Sequence, residues 1–132
     1  GGFGMSEVKT NKLTGTTSAG DIDVTSEGGA VTFQLQQGLI KSFVEGGNHS
    51  IASIQGDSFN VSGYVDFATG IAEFTLTNAM NNADYPVIAS SQSNYIYQGY
   101  AASTTAYRAS TVASTQNFAD GINNAVIAGD LA

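Results

Sequence analysis

The chain has 132 residues, enough for one domain and few for two, and Leu, Ile, Val and Phe fill only 30 positions, lean for a self-sufficient core. Four basic against eleven acidic residues leave a net charge of −7, and no basic stripe is visible, which argues against nucleic acid and anionic membrane surfaces as partners. The absence of cysteine excludes disulfides and thiolate metal sites, and no apolar run approaches the ~20 residues of a membrane span. The opening "GGFG" (1–4) reads as an expression remnant before "MSEVKTNKL", with residues 5–29 as an N-terminal strand or attachment segment and 30–132 as the main domain. Within the N-terminal segment "VKTNKL" (8–13) is a candidate short strand. "DIDVT" (21–25) alternates with Ile22 and Val24 on one face, and "AVTFQLQ" (30–36) does so with Val31, Phe33 and Leu35. "LIKSFVEGG" (39–47) continues as a strand, and "HSIASI" (49–54) as a short edge. Around "FATG" lie two alternating runs: Phe59, Val61 and Val65 share a parity, as do Ala72, Phe74 and Leu76. They predict an antiparallel hairpin with one apolar face on a core and Gly70 helping to close the loop. "VIASSQSNYIYQGYAAS" (87–103), "TTAYRASTV" (104–112) and "AVIAG" (125–129) supply the last strands, the final one after a loop centred on "QNFADGINN". No segment holds a helical period, so the expected fold is all-β: an antiparallel sandwich of eight to ten short strands.

Three stretches carry a resemblance to a known family: "LQQGLIKSFV" (35–44), "DSFNVSGYVDFATGIAEFTLTNAM" (57–80) followed by "ADYPVIAS" (83–90), and "AYRASTV…FADGINNAVIAGD" (106–130). Together they resemble the distal domains of bacteriophage tail fibres, over about three quarters of the chain, the run from Asp57 to Met80 with "ADYPV" being the specific part. The resemblance implies a virion structural protein, a homotrimer whose tip meets a host surface component, attached to other virion proteins through its N-terminal segment. The alternative is a capsid-decorating or head-fibre protein. Departures from the family pattern fall at Phe43, in "EGGNHSIASI" and in "NYIYQGY", in a family whose tip loops vary most.

Little in the sequence suggests catalysis. His49 is the only histidine; Ser50 or Ser58 with Asp57 could complete a triad only by a geometry that sequence proximity does not supply, and a zinc site needs three or four ligands. Asp21 and Asp23 share a strand face and could hold calcium or cleave a glycoside, or could form the solvated side of a half-buried strand. A polysaccharide-cleaving enzyme is the third reading, set below the other two because such tailspikes use longer chains. No cofactor, metal or catalytic residue is expected. "NHS" (48–50) and "NVS" (60–62) match the glycosylation triplet, which has no meaning in a product made in bacteria.

The candidate binding cluster is "SNYIYQGY" (93–100). Exposed Tyr95, Tyr97 and Tyr100 offer flat apolar faces and hydroxyls suited to sugar rings, and Gln92, Asn94 and Gln98 add directional hydrogen bonds. The competing use of the tyrosines is a core or subunit interface. Arg108, the only cation of the second half, is read as satisfying a buried carboxylate or carbonyls rather than a ligand. Val31, Phe33, Leu35, Leu39 and Ile40 are the expected intersubunit residues of the homotrimer.

Overall fold

Alternating side-chain character along short segments does build sheets here. A computed structural model describes residues 7–17, 22–25, 28–29, 31–48, 51–91, 96–112 and 118–132, among which there are eleven strands and no α-helix. Contacts divide the chain into two compact units, residues 1–36 and 37–132. In the first, β1 (Asp23–Thr25) pairs antiparallel with β2 (Thr32–Gln34), setting Val24 opposite Phe33. Residues 8–13 are not the expected strand. Thr10 donates its hydroxyl to the Lys12 carbonyl at 2.7 Å and accepts from the Lys12 amide at 3.2 Å, a local turn that competes with extension.

The second unit is an antiparallel β-sandwich. Its strands are β3 (Ile40–Asn48), β4 (Ser53–Ile54), β5 (Ser58–Phe59), β6 (Val61–Ala68), β7 (Ile71–Leu76), β8 (Val87–Ser91), β9 (Ile96–Ser103), β10 (Ala106–Val112) and β11 (Ile122–Ala128). One sheet has the order β6-β7-β10-β9; the other runs β4-β3-β11-β8, with β5 also paired to β3. The core between them holds Val44, Phe74, Leu76, Met80, Tyr107 and Ile127, with alanines at 72, 109 and 125. Phe74 sits edge-on to Tyr64 with centroids 5.5 Å apart and tilted against Tyr107 at 5.2 Å. Such pairs add to the plain burial of apolar area.

A small-residue composition lets the two sheets approach closely. A Cβ on Gly99 of β9 would lie 2.5 Å from the Val87 carbonyl oxygen of β8 in the opposite sheet, and one on Gly47 would lie 2.8 Å from the Phe74 ring. The lean core is thus thin where glycine lies under a neighbour.

The hairpin has the expected strands but not the expected inner face throughout. Ala72, Phe74 and Leu76 are buried, as their parity predicts. On β6, Val61 pairs with Leu76, but Gly63 pairs with Thr75, so the strand carries one extra residue there and its alternation inverts. Tyr64 therefore turns to the core opposite Phe74, while Val65 faces solvent opposite Glu73. Phe59, expected on the core side, is 54 % exposed. A second bulge places Lys41 between the partners of Ile127 and Ala128, and burial pushes its ammonium below its ordinary pKa against the opposing pull of Asp130.

Two core tyrosines make the fold alkali-sensitive. The Tyr85 hydroxyl lies 2.8 and 2.7 Å from the carbonyl oxygens of Ser103 and Ala106, bridging the β9–β10 turn; that of Tyr107 lies 3.2 Å from Ser42 Oγ. Burial pushes both up to about 12 from an ordinary value near 10, the Ser42 contact opposing it at Tyr107, and burial raises Tyr64 as well. A raised folded-state value means full stability below the unfolded value and a loss as pH climbs through the folded one. In urea titrations the contribution of these tyrosines to the unfolding free energy is expected to be constant below pH ~10, then to fall between ~10 and ~12 by up to about 1.4 kcal/mol per pH unit for each of the two. A flat profile across that window would show that these hydroxyls ionise without unfolding.

Candidate functional site

Antiparallel register lines up four side chains across the solvent face of the four-stranded sheet. Val65 pairs with Glu73, Glu73 with Arg108, and Arg108 with Tyr100. Arg108 donates Nε–H to Glu73 Oε2 at 2.7 Å, and its Nη2 lies 2.7 Å from the same oxygen, both side chains being about three quarters covered. Its guanidinium carbon sits 3.5 Å above the Phe67 ring centroid, with Tyr100 as its register neighbour on the other side. The bond to Glu73 leads in raising the Arg108 pKa, so the cation is permanent and its partner carboxylate is engaged. Arg108 thus satisfies a carboxylate, that of Glu73, which lies partly exposed on the solvent face rather than buried as the sequence suggested.

The sequence-derived binding cluster divides about this row. Gln92, Asn94 and Tyr95 lie outside the described residues. Along β9 the register with β10 is regular from Ile96 to Ala101, so sides alternate. Gln98 and Tyr100 share the solvent face with Arg108; Tyr97, opposite buried Thr111, belongs with Gly99 and Ala101 on the inner side and is half-buried. Sequence reasoning did not find Phe67 and Glu73 as members of this face. The alternation of β7 marks Glu73 as solvent-facing, but only the strand order sets it beside Arg108.

The expected interface residues are mostly exposed: Val31 62 %, Phe33 51 %, Leu39 53 % and Ile40 55 %, with Leu35 half-buried. The proposed triad cannot be assembled from described residues, since His49 and Ser50 lie outside them, and Asp57 Oδ1 accepts the Ser58 amide at 2.8 Å. Asp21 is likewise outside them, while Asp23 is exposed opposite Gln34. Among the described residues no three His, Asp or Glu side chains gather where they could hold a metal ion.

Chemically, the face offers a neutralised ion pair, two aromatic rings and a primary amide on a rigid sheet. Groups of this kind suit stacking on, and hydrogen bonding to, uncharged polar rings. Comparison with family models, with curated proteins and with solved structures returns no match to this chain.

Proposed function

We propose that this chain is a bacteriophage virion structural protein, the receptor-binding tip of a tail fibre, which recognises a host surface component without catalysis. A glycan is the ligand class its aromatic and amide groups suit. The observation that carries the reading is the solvent face holding Gln98, Tyr100, Arg108 and Phe67, in a chain whose sequence over residues 57–80 resembles the distal domains of tail fibres. In the proposed assembly, three copies about one axis present three such faces, residues 5–29 engage other virion proteins, and weak individual contacts gain strength through avidity.

The test is adsorption of the purified chain to an array of bacterial surface glycans and to host cells. Tyr100→Ala and Gln98→Ala, each confirmed as folded by circular dichroism, are expected to weaken adsorption about tenfold or more, the loss of ~1.4 kcal/mol per contact. Unchanged adsorption by both variants would discard this face. A wild-type chain that binds no bacterial surface would discard the receptor role, and virion labelling on the capsid would favour the decorating protein. New reducing ends released from polysaccharide would replace the non-enzymatic reading.

A further inference from the structure

The outward side of the other sheet has the opposite character. Register places Phe43 opposite both Phe59 and Val126, and Val126 opposite Ile88, so one apolar row crosses β5, β3, β11 and β8. The Phe43 and Phe59 rings stack at 6.3 Å with 26° between planes. Phe59 is 54 % and Ile88 70 % exposed, and Ile40, also exposed, extends the face along β3. A shallow trough of about 300 Å³ runs among Ile40, Phe43, Ile88 and Val126, with Ser90 and Asn124 as its polar lining. On a sheet facing water these positions ordinarily hold Thr, Ser or Lys.

We infer that this sheet face is where copies of the chain meet, with a second copy as its occupant. The inference rests on the reading that the chain assembles with itself, and it locates the contact on β3, β5, β8 and β11. Charge favours that occupant. Two molecules of net charge −7 repel over most approaches, but this row carries no ionisable side chain; exposed Glu45 stands beyond Phe43 on the same strand. Area favours it too. Five apolar side chains at these exposures present on the order of 400 Å², about half of the ~800 Å² per partner that a stable interface buries and a fitting centre for one. Three such faces turned to a common axis close into a prism, each row against its neighbours, which leaves the Arg108 face of every copy outward.

Sedimentation of the full chain at micromolar concentration tests this. The wild type is expected to be assembled, and Ile88→Lys or Phe59→Lys to shift dissociation at least ~100-fold towards folded monomers, since each puts a charge in a desolvated contact. Val31→Lys and Phe33→Lys are expected to stay assembled. Should the lysine forms fail to fold, Ile88→Gln reads the same face with a smaller shift. Assembly untouched by the face variants, or lost in Val31→Lys instead, overturns the surface and spares the self-assembly reading. A monomeric wild type overturns both.

Discussion

Gly70→Ala is expected to lower the unfolding free energy by about 4 kcal/mol, from two causes acting together. Gly70 closes the β6–β7 hairpin with φ of +69°, a region that costs an alanine ~1–2 kcal/mol. The larger cause is space. A Cβ there would sit 2.7 Å from the Ala119 amide nitrogen and 2.7 Å from the Thr111 carbonyl oxygen. Both are backbone atoms, so no rotamer change relieves the contact. Moving the turn outward would break the bonds that hold it: Gly70 N–H to Asp120 Oδ1 at 2.8 Å, and Thr111 N–H to the Gly70 carbonyl at 2.7 Å. The Thr111 hydroxyl, held between the Gly70 and Ala119 carbonyls, would lose a partner as well. Gly28, exposed and with open space around it, is the control, and Gly28→Ala should change stability by less than ~0.5 kcal/mol. Urea unfolding followed by circular dichroism measures both. A Gly70→Ala protein within ~1 kcal/mol of wild type would mean that the 118–120 segment yields freely, contrary to its bonding.

The same hairpin shows what alternation reveals and what it hides. β7 pairs without interruption, so the parity of Ala72, Phe74 and Leu76 could be read directly as the buried side. β6 has the same apparent pattern, yet its bulge after Val61 sends Tyr64 inward and Val65 outward, because one extra residue inverts the side chains that follow until the next register shift, between Asp66 and Ala68. At β11 the difficulty was polarity rather than period. Asn123 and Asn124 read as loop, but the strand begins at Ile122, and Asn123 is fully buried opposite Gly47. Asn124 offers Oδ1 to the Gly46 amide at 2.9 Å, so an amide side chain mends the ladder where β3 bulges. The candidate site was legible only in part for a related reason. Tyr100 and Gln98 carry their own chemical signal, whereas Glu73 acquires its meaning from pairing with a residue 35 positions away. Strand order between distant segments leaves no local trace.

Asn60 offers the second large effect, and a way to divide it into parts. It is the single residue between β5 in one sheet and β6 in the other, and it makes the change of sheet with φ of +58°. Its side chain fastens the corner. Nδ2 donates to the Lys41 carbonyl at 2.9 Å and lies 3.2 Å from that of Asn78, while Oδ1 accepts from the Asn78 amide at 2.7 Å and its side-chain nitrogen at 3.0 Å. One amide thus ties β3 to the end of the hairpin, and asparagine is the side chain that best tolerates left-handed backbone. Asn60→Gly keeps the backbone freedom and removes the bonds, an expected loss of about 2 kcal/mol, ~0.5 kcal/mol for each of the four. Asn60→Ala loses the bonds and adds backbone strain, an expected total of about 3 kcal/mol. Urea titrations of the two variants beside wild type separate the contributions. The glycine form should be the more stable of the pair by ~1 kcal/mol, because strain at a positive φ is felt only by a residue with a Cβ. Equal losses would assign the whole effect to hydrogen bonding. An alanine form as stable as wild type would mean that the corner is held by the β5 and β6 ladders alone, and that the sandwich joins its sheets without this residue.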